Sequence, residues 1–376
     1  MTLDSSELRI SLQALLGVLI VILVPLTVVG LYFGMQADKH ANQMNGEYLR
    51  TLTHSAAAAT TEFIDQRVTE VSLIANEPSV VQAVTTANRA YAHVAEPAVQ
   101  AKLEGTERKW NDPATDILAR QTLTSDLADL LRRDRELNPK LLKIVVADEM
   151  GATVAATDKP LHYFQTDREY WRSLSSRGQG AIYLTDVRTD EQSRSNYISL
   201  SFPVLQEGSG RFIGAVTALI DVSPLFAYLN QQQIARTGRL FLIRDDGTVI
   251  TAPGVAPPMK VKSDEYTAMR DALGTLRGRE TGYITATLPD GESYLIGFAD
   301  TGLKAAYPNL GWIVVASQAE REASGPVRNM AHYALLMMVL GLLLLAVFGA
   351  YVFLHRKQQL EDLETTQEDR RRSTAA

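Results

Sequence analysis

Two uncharged apolar runs bracket this chain, Ile10 to Gly34 (ISLQALLGVLIVILVPLTVVGLYFG) and Tyr333 to Leu354 (YALLMMVLGLLLLAVFGAYVFL). About 20 such residues suffice to cross a bilayer as a helix, so each run is expected to be a transmembrane helix. The first is too long for a secretory signal, is preceded in its last few residues by only one basic residue, Arg9, and is followed by no clear small-x-small cleavage site. Pro25 inside it is tolerable in a membrane helix. His355, Arg356 and Lys357 follow the second run directly, and Arg370, Arg371 and Arg372 come later. That basic excess is expected to keep the C-terminal flank in the cytoplasm, and two spans return the N-terminus to the same side. Residues 35–329 are then extracytoplasmic, on a protein of the cell inner membrane. The absence of cysteine suits an oxidising compartment.

Between the runs the chain reads as folded protein. Over 376 residues, 46% hydrophobic and 21% charged content argues against global disorder, and a net charge of −6 argues against nucleic acid as a partner. Gln36 to about Asn76 is predicted to be one long helix, with Pro78 as its stop. Leu52, Ala56, Ala59, Phe63, Val71 and Ile74 form an apolar stripe on it, suited to packing on its own domain or against a second copy. A further helical stretch is predicted over Asp116 to Arg135.

The pattern then changes period. KIVVADEMGATVAAT and, about one hundred residues later, LFLIRDDGTVITAP each read as a strand, an acidic turn closed by glycine, and a second strand. Each is followed by a helical stretch (Asp167 to Ser176; Ser263 to Gly274) and then by further strands: AIYLTDV, NYISLSFPVL and RFIGAVTALID in the first copy, GYITATL, SYLIGFA and GWIVVASQ in the second. Ser223 to Gln233 is the joining helix. This is an internal duplication of an antiparallel sheet with helices, an α+β fold rather than a doubly wound one. The predicted segments are 1–9, cytoplasmic; 10–34, first span; 35–140, stalk and helical region; 141–235, membrane-distal module; 236–320, membrane-proximal module; 321–354, connector and second span; and 355–376, cytoplasmic tail.

No phosphate-binding glycine loop, HExxH or GxSxG pattern occurs, and the six histidines have no ligand spacing. The acidic turns Asp245-Asp246-Gly247 and Asp290-Gly291 lack the alternating oxygen ligands of a calcium loop. Neither an enzyme nor a cofactor or metal site is expected.

An anchor, a long helix, two tandem PAS-like sheet modules and a second anchor resemble the double Cache (dCache) sensor architecture of bacterial transmembrane receptors. TDREYWRSL resembles that family's D-R-x-[YW]-[FYW] segment, NYISLSFPVLQEGSGRFIGAVTALIDVSPL its paired strands ending in aspartate, and YLIGFADTGLKAAYPNLGWIVVASQ its closing strands. The resemblance implies a small polar ligand in the distal module, held by Arg168 through its carboxylate, covered by Tyr170, Trp171 and Tyr183, and met on its ammonium by Asp186 and Asp221. A guanidinium offers a two-donor fork to a carboxylate, and aromatic faces desolvate the ligand. Tyr183 and Asp186 are spaced Tyr-x-x-Asp rather than the Tyr-x-Asp of amino-acid binders, and RTDEQSRSN replaces the usual glycine-containing hairpin. A plain carboxylate is therefore an alternative to an amino acid. An alternative for the residues themselves is a structural Arg168–Asp186 ion pair with the aromatics in the core.

The expected function is a sensor subunit, paired as a homodimer through the long helix, that signals through a separate cytoplasmic or membrane protein. An envelope scaffold and a receptor lacking its output domain are the alternatives.

Overall fold

The computed structural model describes residues 12–355 apart from 111, 113–116, 167, 177–180, 191–194, 233, 255–260, 276–280, 326–332, 334, 352 and 353. The expected segment 1–9 and residues 356–376 of the expected tail 355–376 lie outside the described residues. Among the described residues no helix is long and apolar enough to cross a membrane. Residues 10 and 11 of the first apolar run, and 334, 352 and 353 of the second, fall outside the description.

The chain divides into two compact units, residues 1–45 with 320–376, and residues 46–319. In the first, residues 320–325 and 335–351 are helical. Asn45 Nδ2 donates to the carbonyls of Ala41 (2.9 Å) and Ala323 (3.0 Å).

The second unit holds both sheets. Helix α1 (Leu12–Ala75) runs into it, and its buried face there includes Leu49, Ala56, Thr60, Ile64, Arg67 and Val71. Of the predicted stripe, Ala56, Val71 and Ile74 are buried while Leu52, Ala59 and Phe63 are half-buried. The face is rotated because Thr53 and Thr60 lie on it, each returning its hydroxyl to the carbonyl four residues back (3.0 and 2.8 Å). Pro78 does more than end the stalk: it opens α2 (Pro78–Arg89), where its missing N–H costs nothing. Helix α3 (Glu96–Trp110) was not legible in the sequence pattern, and the predicted helix at 116–135 is two, α4 (Ile117–Leu123) and α5 (Asp126–Leu137), parted where Ser125 caps α5 by accepting from Ala128 N (3.2 Å).

The first sheet contains β1 (Leu141–Asp148), β2 (Thr153–Ala156), β3 (Tyr183–Leu184), β4 (Arg188–Thr189), β5 (Asn196–Leu205) and β6 (Phe212–Asp221), with α6 (Glu169–Ser176) inserted after β2. Helix α7 (Ser223–Gln231) leads to the second, made of β7 (Arg239–Arg244), β8 (Val249–Thr251), β9 (Thr281–Thr287), β10 (Ser293–Asp300) and β11 (Trp312–Ala319), with α8 (Asp264–Thr275) after β8. The strand orders are β2-β1-β6-β5-β3, with β4 also on β5, and β8-β7-β11-β10-β9. They are the same order, so the duplication seen in the sequence is a duplication of topology. All reported pairings between these strands are antiparallel.

Close backbone approach fixes α1 on the second sheet. A Cβ at Gly297 would stand 2.7 Å from the Leu49 carbonyl carbon, and Thr61 Oγ1 donates to Thr301 O (2.8 Å). Farther along, the ion pair of Arg67 with Glu70 (2.7 Å) adjoins Asn138, to which both side chains are hydrogen-bonded.

Candidate ligand site

Helix α6 is set in place by the β1–β2 turn. Gly151, with φ 79° in the left-handed region open to glycine, accepts from Gln165 N through its carbonyl (2.9 Å), and Ala152 bridges Phe164. The chain then turns into α6: Gln165 O accepts from Arg168 N (3.1 Å), and Arg168 O accepts from Trp171 N (3.1 Å). Trp171 and Leu174 are the buried side chains of the helix, and they rest on Ala147 and Ala215, a cross-strand pair of β1 and β6. Phe212 meets the Trp171 ring edge-on at 5.6 Å, and Tyr170 meets it at 6.5 Å. The Tyr170 hydroxyl donates to Gln165 Oε1 (2.9 Å). Tyr183 packs on the same cluster, its hydroxyl near Glu169 and Asn309. Burial, with the Glu169 contact, pushes that hydroxyl above the usual tyrosine range.

The structure therefore groups Tyr170, Trp171 and Tyr183, with half-buried Arg168 in the turn that opens their helix. It does not bring the two aspartates into this cluster. Asp186 faces the second sheet: Oδ1 accepts from Val187 N (2.7 Å) and from Trp312 Nε1 (3.2 Å), and Oδ2 forms an ion pair with Arg244. The Arg244 Nε–H is not aligned on the carboxylate, so this contact is an ion pair rather than a directed hydrogen bond. Asp221 is the last residue of β6, six positions beyond Ala215 on the floor under Trp171 and so about 20 Å along the strand. There its Oδ1 accepts from Ser223 N (2.8 Å) at the start of α7.

Sequence reasoning missed two supports of the helix, Gln165 and Phe212, and also a buried acid nearby. Asp148 is 2% exposed; Oδ1 accepts from Met150 N and Ala152 N (3.0 Å each) and Oδ2 from the Tyr91 hydroxyl (2.7 Å). Burial raises its carboxyl above the usual range despite these bonds, and burial with the charge of Asp148 pushes the Tyr163 hydroxyl up to about 12. The sequence shows Asp148 only as a turn residue.

Among the described residues, two cavities lie elsewhere. One, of about 840 Å³, is an open groove between α2 and α5, lined by Gln82, Thr86, Asp126 and Arg133 among others. The other, of about 290 Å³, lies in the second module beside Arg239, Asp290 and Tyr294. Its polar groups answer one another: Arg239 pairs with Glu265, and the Tyr294 hydroxyl donates to Asp290 (2.9 Å). Among the described residues no group of three or more His, Asp or Glu is placed to hold a metal ion.

A long helix carrying two sheet modules of identical strand order defines a tandem-module class. The chain belongs to the Cache domain family, whose dCache_1 model matches residues 38–327. Solved structures similar to it include the ligand-binding domain of the Pseudomonas aeruginosa PAO1 amino-acid chemoreceptor PctC in complex with GABA, at 15% identity and TM-score 0.46, covering 73% of this chain and 99% of that one. The ligand-binding domain of PctB from the same organism, with L-Arg, is 17% identical at TM-score 0.44, covering 75% and 97%. That of the Campylobacter jejuni chemoreceptor Tlp3, with 4-methylisoleucine, is 10% identical at TM-score 0.47, covering 75% and 94%. No curated protein matches the sequence.

Proposed function

We propose that this chain is the sensor part of a membrane receptor and that its distal module binds a small carboxylate, an organic acid or amino acid, at α6. Arg168 holds the carboxylate, Tyr170 and Tyr183 flank it, and Trp171 supports them from the core. The observation that carries the reading is the grouping of these aromatic side chains around one helix that begins beside an arginine. The chain binds its ligand and does not transform it.

A screen of organic acids and amino acids against the full chain in detergent, read by thermal unfolding, identifies the ligand. At about a hundred times its Kd, a ligand adds about 2.7 kcal/mol of stability. Losing a buried charge-assisted contact costs about 2–5 kcal/mol, so Arg168→Ala is expected to weaken the ligand at least about thirtyfold. Unchanged affinity in a folded Arg168→Ala protein would return the arginine to a structural role.

In the same reading, residues 10–34 and 333–354 span the inner membrane, the modules are extracytoplasmic, α1 pairs with a second copy, and a separate protein carries the signal onward. The apolar, uncharged character of both runs supports the topology. With no native cysteine, single cysteines report cleanly. Tyr228→Cys, at a 41% exposed position, should react with an impermeant maleimide on intact spheroplasts. Reaction only after lysis would reverse the topology. Ala59→Cys, half-buried on α1, should crosslink between copies, and a chain that stays monomeric there argues against pairing through that face.

A further inference from the structure

We propose that residues 183–186 of the first module, and Arg244, Asn309 and Trp312 of the second, form a latch through which α6 acts on β11. The proposal rests on α6 being the ligand-bearing helix, but its test uses no ligand.

Three contacts converge within a few residues. Asn309 Nδ2 donates to Leu184 O (2.9 Å), Trp312 Nε1 donates to Asp186 Oδ1 (3.2 Å), and Arg244 pairs with Asp186. Each has a reason to be specific. Trp312 is 0% exposed, so its single N–H needs an acceptor inside the protein, and Asp186 supplies it. Tyr183 packs on the cluster beneath α6 and its neighbour Leu184 takes the Asn309 bond, so β3 joins the helix to the other module. Both oxygens of Asp186 are engaged here, which makes it a positioning residue for the two modules.

The receiving side is stiff. The β10–β11 connection is tied to the turn after β7, because Asp245 N donates to Gly311 O (2.6 Å) and Lys304 pairs with the Asp245 carboxylate. A side chain at Gly311 would collide with that same carboxylate at 2.7 Å. Trp312 begins β11, the central strand of the second sheet, buried along its whole length to Ala319. Residue 320 and the short helix 320–325 follow in the chain. The giving side is reversible: the side chains of Asp186 and Arg244 are 26% and 37% exposed, and an ion pair reached by solvent is weak enough to break and re-form.

Coupling between two sites is reciprocal, and typical couplings change an equilibrium about 5–150-fold. Hydrogen exchange of the full chain in detergent, followed by mass spectrometry, reads it in both directions. Asp186→Asn, which removes the carboxylate from the first module, should speed exchange of peptides covering 303–316 at least about fivefold. Arg244→Met, in the second, should do the same for peptides covering 169–186, and exposed Asn309→Ala gives a variant with little risk to folding that should loosen both. Asp186→Asn combined with Arg244→Met should then fall short of the product of the two single effects. Effects that stay within the mutated module, or single effects that multiply, would overturn the latch. Neither outcome bears on whether Arg168 binds a carboxylate.

Discussion

The two modules share a strand order and differ in what fills the space under the helix. In the first, α6 lays Trp171 and Leu174 on a floor of alanines, Ala147 and Ala215. In the second, the sheet raises its own large side chains, Phe241, Phe298, Ile313 and Val315, around Met269 of α8. One face is small and depends on a ring brought by the helix; the other is already full. A duplicated fold can thus keep its backbone plan while one copy becomes a packed support and the other keeps adjustable ground beneath its helix.

The sharpest way to break this contrast is to remove the buried side chain of each helix. Trp171→Ala is expected to cost about 3–5 kcal/mol, since nothing on the alanine floor can fill the space, whereas Met269→Ala should stay near the low end of about 2–5 kcal/mol. Urea unfolding read by module-resolved exchange distinguishes them, and equal losses would end the comparison. Next in size is Gly297→Ala. Its methyl group would press on the Leu49 backbone of α1, and overpacking of this kind costs about 1–3 kcal/mol. The loss should fall on the second module and spare α6; a loss spread evenly over both would show that α1 binds them as one block.

The smallest effect, a few degrees in Tm, comes from acid. Glu265 is 1% exposed, and although burial would raise its carboxyl, Arg239 and Ser263 hold it below the usual range. Its folded pKa is depressed, so its contribution is present above the unfolded value of about 4.3 and is lost as pH falls through the folded pKa. Asp148, raised by burial, has the opposite sign: the folded first module takes up that proton first and gains stability as pH falls from its folded pKa toward about 3.9. The second module should therefore weaken before the first as pH falls below about 4.3. Glu265→Gln should flatten the acid response of the second module and Asp148→Asn that of the first; Tm profiles unchanged by either would discard the assignment.

Much of this contrast was readable in the sequence, because period-two strands and glycine-closed turns are local signals. The two hairpins KIVVADEMGATVAAT and LFLIRDDGTVITAP announced the repeat, and both sheets follow from it. What could not be read depends on distant partners. AIYLTDV looks like a full strand, yet its ladder ends at Leu184 with one further bond from Thr185 N to Ser199 O (2.9 Å), after which Asp186 turns to Trp312, 126 positions away. Arg168, Tyr170 and Trp171 come together because they are consecutive on one helix, a proximity that sequence conveys. Asp221 lies six positions along β6 from Ala215, on which Trp171 rests, a separation the motif alone does not reveal. Helix α2 was hidden for another reason: its buried residues, Val80, Val84 and Asn88, include an asparagine, whose Nδ2 donates to Ile213 O (2.8 Å).

The shared strand order also has a consequence for biosynthesis. In each sheet the central strand is the last to be made: β6 inserts between β1 and β5, and β11 between β7 and β10. Until the ribosome has delivered residues 212–221, the β1–β2 hairpin and β5 have no common neighbour, and a two-stranded ribbon is barely stable alone. The second module waits in the same way for residues 312–319. Each half of the protein thus closes in one late step, and nascent chains arrested before residue 212 should be protease-sensitive where those arrested well past 221 are not. The strand that completes each module is also its middle, so neither sheet can be finished from its edges.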